Sequence, residues 1–128
     1  MSGRQLAQAN FCAHRRQCLQ TSGADPSRLS LEVTEAALMD DVTAGWSTLR
    51  EAKQTGVSIA LGGFGTSYSS LSMLRSMQGD LLTVDATFVR GLGESAEDTV
   101  IVEHVVALAK ALGIVTVAEQ VETEQQVQ

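Results

Sequence analysis

The residues that could take part in chemistry lie where the predicted strands end. Glu32, Asp85 and Glu119 each fall at the carboxyl end of a predicted strand, and a fourth strand runs into a glycine-rich loop at 62–68. Right-handed crossovers between parallel strands place all carboxyl ends along one edge, where the ligands of α/β folds bind. We therefore expect these residues to share one edge, which we call the strand-end rim.

Two local interpretations of the rim residues stay open. Glu32 and Glu119, taken alone, are most simply solvated carboxylates, because acidic side chains are mostly exposed. The loop at 62–68 is a turn that leads toward a helix, and such turns can present backbone N–H groups to phosphate. The alternative is a relaxed turn without a ligand, which we favour because isolated glycine motifs often match by chance.

The cysteines and histidines indicate no metal centre or disulfide. Cys12 and Cys18 are six residues apart in a predicted helix, which turns them to different faces. His14 and Cys18 are four apart and share a helical face, but two ligands do not make a metal site. We expect packing or surface roles for these residues and for His104.

The elements that position the rim follow one helix and then a repeated strand–helix pattern. The apolar–polar patterns, helix stripes and glycine stops predict strands at 29–33, 57–61, 81–84 and 114–118, and helices at 5–19, 42–53, 71–77 and between Ser95 and Gly113. The strands begin roughly 24 to 33 residues apart, as in parallel crossover units. The sequence predicts one α/β domain over residues 1–128.

The charge excludes several classes of partner. The 128 residues carry 15 acidic and 9 basic side chains, a formal net charge of −6. Binding to nucleic acid or to an anionic membrane depends on Lys and Arg, so we expect neither. No segment approaches the ~20 apolar residues that span a bilayer, and no apolar signal core follows the first residues, so we expect a cytoplasmic protein.

Four motifs resemble one family. They are LEVTE at 31–35, GGFGTSYSSL at 62–71, LTVDATFV at 82–89 and VAEQVET at 117–123. In this order and spacing they resemble the EAL domain, a family of cyclic di-GMP phosphodiesterases and their inactive relatives. The resemblance implies a TIM-like barrel, cyclic di-GMP as ligand, and two Mg²⁺ or Mn²⁺ ions that activate a water.

Five acidic residues match functional positions of the family. The resemblance implies metal-ligand positions at Glu32, Asp85 and Glu119, and catalytic positions at Glu119 and Glu122, all of which we expect to be vestigial. Glu35 matches the glutamate that braces the loop after the next strand. We expect no cofactor, with Mg²⁺ or Mn²⁺ relevant only if some activity survives.

The chain departs from the family pattern at the centre of the site. Gly62 and Gly63 stand where the family has two metal-binding aspartates. Loss of a residue that only orients a ligand costs 10- to 100-fold in metal affinity or activity, so loss of two direct ligands should cost more. Thr83 replaces a lysine, and its neutral hydroxyl cannot act as a cation. Gln120 stands where the family has glycine.

The resemblance covers about half of a barrel. The chain has no counterpart of the Glu-Ala-Leu motif, and a complete barrel needs ~250 residues. Half a barrel exposes sheet edges and an apolar face, so we expect a homo-oligomer or a covering protein partner. The hypothesis is a degenerate, non-catalytic module that binds a partner or, weakly, cyclic di-GMP. The alternatives are a metal-dependent phosphodiesterase completed by another chain, and an inert fragment.

Overall fold

Four parallel strands form one sheet, and their spatial order is their order along the chain. This is a computed structural model, and it describes residues 1–8, 10–39, 42–64 and 79–127. The strands are β1 (Ser30–Thr34), β2 (Ser58–Phe64), β3 (Leu81–Val84) and β4 (Val115–Ala118). Each adjacent pair is parallel, so the predicted α/β class is confirmed.

Helices connect and cover the strands. They are α1 (Gly3–Leu6), α2 (Phe11–Ser22), α3 (Glu35–Met39), α4 (Val42–Lys53), α5 (Ala86–Gly91) and α6 (Ala96–Ala111), with 3-10 turns at Pro26–Arg28 and Glu124–Gln126. Within the described ranges, none of the helices combines the length and apolarity that crossing a bilayer would require.

The single helix predicted over 5–19 is wrong. Ser2 and Gln5 form a capping box that begins α1 earlier, because the Ser2 hydroxyl accepts from Gln5 N–H while the Gln5 side chain accepts from Ser2 N–H. That first helix ends at Leu6, and α2 begins after Asn10. The segment predicted as one helix is therefore two helices, α1 and α2, in the structure.

Other bounds agree with the sequence patterns or shift slightly. The helix at 42–53 and the strand at 81–84 are confirmed, while β1 and β4 each begin one residue later than predicted. The strand predicted to end at 61 is too short, because β2 continues through Phe64. The short helices α3 and α5 are additional, and the helix predicted at 71–77 lies outside the described residues.

The core lies mainly between the sheet and the helices that precede β3, and Ala109 of α6 and Ile114 also belong to it. Its most deeply buried large side chains are Val33, Leu38, Leu49, Leu61 and Leu82. Burial of one such side chain contributes roughly 1.5–3 kcal/mol. On α6 only Ala109 is buried, while Ile101, Val106 and the following Leu112 are exposed. The sheet is thus well packed at β2 and β3, whereas most residues of β1 and β4 are exposed.

Candidate functional site at the strand-end rim

The sheet register aligns the carboxyl ends of all four strands. Thr34 pairs with Gly62, and Val84 pairs with Phe64 on one side and with Ala118 on the other. Asp85 follows Val84 directly, and Glu119 follows Ala118. The structure therefore places Gly62, Asp85 and Glu119 along one edge of the sheet. The position predicted for Glu32 is wrong by two residues, because β1 continues to Thr34 and Glu32 pairs with Ala60 inside the strand.

The end of β2 is a glycine-dependent irregularity. The pairing between β2 and β3 shifts register between Leu61 and Phe64. Gly63 has a φ of 69°, a left-handed conformation that glycine adopts without the penalty of a Cβ. The predicted loop at Gly62–Phe64 is thus the bulged end of a strand, and the remainder of the glycine-rich motif, 65–71, lies outside the described residues.

The side chain of Glu32 lies across this bare backbone. A Cβ atom at Gly62 would overlap the Glu32 carboxylate oxygen, and would lie 3.1 Å from the Glu32 Cδ and 3.3 Å from its Cγ. Glu32 is otherwise exposed. The carboxylate on β1 therefore occupies the space that any side chain at position 62 would need.

Glu35 is the one buried acid of the predicted set. It is 2% exposed, lies at the start of α3, and has an interaction partner. The Thr34 hydroxyl accepts from Ala37 N–H at 3.3 Å and so caps this helix. The loop that Glu35 is predicted to brace lies outside the described residues, so that role stays a prediction.

Asp85 acts as a helix cap. Its carboxylate accepts hydrogen bonds from the Thr87 hydroxyl and, at 2.9 Å, from Thr87 N–H. These bonds, the hydroxyl's first, lower the pKa of the Asp85 carboxyl because they favour its charged form. The group is held as an anion at the first turn of α5, where it stabilises the exposed backbone N–H groups.

The residues after β4 are exposed, and one of them is strained. Gln120 has a φ of 56° and is the non-glycine residue with positive φ in the described part of the chain. Its Oε1 accepts from Arg90 Nη2 at 2.7 Å. Glu119 and Glu122 are both exposed. Sequence reasoning missed Arg90, although the glutamine in place of the family's glycine marked the position that Arg90 contacts.

Thr83 lies within the sheet, 5% exposed, and pairs in register with Val117. Its short side chain gives the rim no positive charge. Arg90 is the basic residue that reaches this edge near Asp85, as its influence on the Asp85 pKa indicates.

The described rim residues do not fit a Mg²⁺ or Mn²⁺ centre. Hard cations of this kind need several oxygen ligands held close together. In the ranges that the structure describes, no three His, Cys, Asp or Glu side chains are grouped so that they could hold a metal. Glu32 lies over Gly62, and Asp85 is engaged by Thr87.

Comparisons with known proteins give one consistent family. The EAL domain model matches residues 1–128. The bifunctional diguanylate cyclase/cyclic di-GMP phosphodiesterase MucR of Pseudomonas aeruginosa is 38% identical over 126 residues, which are 98% of this chain and 18% of that protein. An uncharacterized protein, y4lL, of Sinorhizobium fredii is 43% identical over 87% of this chain and 13% of its own length. The chain thus spans less than a quarter of these curated relatives.

Solved structures show the same likeness in three dimensions. The phosphodiesterase PaMucR in complex with c-di-GMP superposes with a TM-score of 0.91 at 38% identity, covering 99% of this chain and 52% of that one. The calcium/cyclic di-GMP complex of Klebsiella pneumoniae BlrP1 superposes with a TM-score of 0.88 at 31% identity, covering 98% of this chain and 32% of that one. The four-stranded sheet is therefore part of a larger fold in both proteins.

Proposed function

The chain belongs to the EAL domain family, and on that premise we propose that it is a non-catalytic module of cyclic di-GMP signalling that acts by binding. The observation that carries this proposal is the bare backbone at the centre of the rim. Gly62 and Gly63 offer no ligand atoms from side chains, and the Glu32 carboxylate fills the adjoining space. A metal-dependent hydrolase needs fixed carboxylates at such a place.

The charges of the rim support the same conclusion. A phosphodiester carries negative charge, and its hydrolysis requires positive groups that stabilise additional charge in the transition state. Thr83 supplies no cation, and no three of the described acids are grouped so that they could hold a metal ion. Without metal ions, Glu32, Asp85 and Glu119 would repel a phosphate rather than activate water to attack it.

The exposed edge strand β4 supports binding of a protein. Val115 is 61% exposed and Val117 is 39% exposed. The two lie on one face of β4, and their register partners are Leu81 and Thr83. Adjacent exposed aliphatic side chains on a sheet favour contact with another protein surface.

We assign this face to a second copy of the chain. This chain covers 52% of the PaMucR chain, and an eight-stranded barrel contains twice the four strands found in the described residues. Two copies would therefore supply the number of strands that the fold requires. At the opposite edge of the sheet, the Met1 amino group donates to the Glu32 carbonyl oxygen at 2.6 Å. Closure of a barrel by the second copy would also displace this contact.

A calorimetric titration tests the ligand. Cyclic di-GMP is titrated into the 128-residue chain with Ca²⁺, and hydrolysis is followed separately with Mn²⁺. We expect no hydrolysis, and any nucleotide binding to be weak and reduced in Glu119→Ala but not in Glu103→Ala, an exposed acid on α6. Turnover that is abolished by Glu119→Ala would overturn the non-catalytic proposal.

Sedimentation tests the partner. We expect the wild-type chain to form dimers, and Val115→Lys to shift it toward monomers because a buried lysine lacks a partner. Val127→Lys is the matched control, since Val127 is 75% exposed but lies outside β4. Circular dichroism establishes that both variants are folded. A folded wild-type chain that is monomeric at all concentrations would overturn the assignment.

A further inference from the structure

The sheet ends in two different strands, β1 at one edge and β4 at the other. We propose that two copies of the chain close a barrel in which β4 of each copy lies parallel to β1 of its partner. In this barrel, Val117 of one copy pairs in register with Ser30 of the partner subunit. This arrangement rests on the self-association proposed above and specifies which strands meet and at which residues.

One face of the sheet is exposed at both edge strands. The register places four residues on this face: Glu32, Ala60, Leu81 and Val115. On β4, Val115 is 61% exposed and Val117 is 39% exposed, and on β1 both Ser30 and Glu32 are exposed. Pairing of β4 with β4 of a second copy would lengthen the sheet and leave this face in water. A closed barrel turns the face inward, so its exposure favours closure.

Closure also leaves no strand edge unpaired. Every neighbouring pair of strands in the described sheet is parallel, and contacts between β4 and β1 continue this pattern at both junctions. Eight strands enclose an interior that side chains can fill, and two copies of the four described strands supply them. The barrel therefore removes both exposed edges, which otherwise promote pairing with any available strand.

The stagger of such a barrel fixes the register at each junction. A path that follows paired residues once around an eight-stranded parallel barrel is displaced by about eight residues, so each of two identical halves contributes about four. Within one copy this path runs from Glu32 to Val115. It must then reach the partner subunit at position 28 or position 36. Position 36 would set β4 beside α3, whereas position 28 sets the second half of β4 beside the first half of β1.

The register at position 28 is consistent with the direction of the side chains. It pairs Val117 with Ser30 of the partner subunit, and both residues lie on the exposed face because each is two positions from a residue of that face. At the free edge of β1, the Glu32 carbonyl oxygen accepts from the Met1 amino group at 2.6 Å. The backbone of this edge can therefore accept a donor from outside the sheet, as it would from an added strand.

Cross-linking of introduced cysteines tests the strand pairing. Neighbouring strands lie about 4.8 Å apart, within the Cα separation of about 4.4–6.8 Å that a disulfide spans. Val117→Cys and Ser30→Cys are made singly and together in a Cys18→Ser chain, because Cys18 is the exposed native cysteine and Cys12 is buried. Sedimentation establishes the dimer before oxidation. We expect the double variant to give a covalent dimer and each single variant to give none.

Thr34→Cys combined with Val117→Cys is the matched control. Thr34 is also exposed on β1 and lies on the same face as Ser30, but it is four residues further, which is about 13 Å along the strand. We expect no covalent dimer from this pair, and circular dichroism establishes that all variants are folded.

The outcomes separate the strand pairing from the self-association. Dimers that link through Val117→Cys alone, that link equally through Thr34→Cys, or that link in none of the variants would overturn the strand pairing and leave the self-association standing. A folded wild-type chain that is monomeric at all concentrations would overturn both.

Discussion

The left-handed backbone at Gln120 gives a quantitative prediction. A residue with a Cβ in this conformation is destabilised by about 1–2 kcal/mol relative to its right-handed alternative, whereas glycine is not. Gln120 has a φ of 56° and also accepts a hydrogen bond from Arg90 at 2.7 Å. Gln120→Ala removes the hydrogen bond and keeps the strain, while Gln120→Gly removes both.

Comparison of these two variants isolates the strain. Both lack the Arg90 contact, so their difference reports the Cβ alone. We expect Gln120→Gly to be more stable than Gln120→Ala by about 1 kcal/mol. For a chain of this length the difference corresponds to a shift of roughly 3–6 °C in Tm. Denaturant and thermal unfolding of the folded chain measure it directly.

Glu119 provides the matched control. It is the exposed neighbour of Gln120 and has no positive φ. At position 119, glycine only adds conformational entropy to the unfolded chain. Glu119→Gly should therefore be less stable than Glu119→Ala by about 0.5–1 kcal/mol. Gln120→Gly no more stable than Gln120→Ala, or the same sign at both positions, would refute the reasoning.

Variants at three further residues test other features of the structure. Asp85→Ala should lower the free energy of unfolding by about 1 kcal/mol through loss of the α5 cap. Wild type should be more stable than Asp85→Asn above about pH 4, and this difference should be lost as pH falls through the lowered pKa of Asp85. Urea midpoints of wild type and Asp85→Asn that do not converge at acidic pH would contradict this. Gly63→Ala should cost about 1–2 kcal/mol, since its φ is 69°, and an unchanged urea midpoint would contradict it. Arg15 Nε and Nη1 are buried without partners. Arg15→Met keeps the packing of the side chain, so its free energy of unfolding should stay within about 1 kcal/mol of wild type. Arg15→Ala should lower the free energy of unfolding by about 2 kcal/mol or more, and equal values for the two variants would count against this reasoning.

The elements that were predicted well are those specified by nearby residues. The helix at 42–53 has its own apolar stripe and stop signal, and the strand at 81–84 is a short apolar run before Asp85. The break before Phe11 was missed because residues 7–10 contain no glycine or proline that would signal the end of a helix. The length of β2 was missed because glycine normally weakens a strand, and only pairing with β3 reveals the bulge.

In the site, too, the features that follow from nearby residues and topology were predicted, and the long-range contacts were not. Topology alone placed Asp85 and Glu119 at one edge, since parallel strands align their carboxyl ends. The contact of Glu32 with Gly62 and the bond from Arg90 to Gln120 join residues 30 positions apart. Such contacts depend on side-chain rotamers and on the register of neighbouring strands, which no local pattern encodes. Topology therefore predicted which strand ends share an edge, whereas the side-chain contacts of Glu32, Asp85 and Gln120 were found only in the structure.

The two glycines at the end of β2 differ in what a side chain there would disturb. At Gly62 a Cβ would overlap the Glu32 carboxylate oxygen. That oxygen is the far end of an exposed side chain, so a rotation of Glu32 would make room for the new group. At Gly63 a Cβ would lie on left-handed backbone with a φ of 69°, and no side-chain rotation relieves that strain. A chain that acquired aspartates at both positions would therefore incur most of the resulting loss of stability at the second, so position 63 limits whether carboxylates can be restored here.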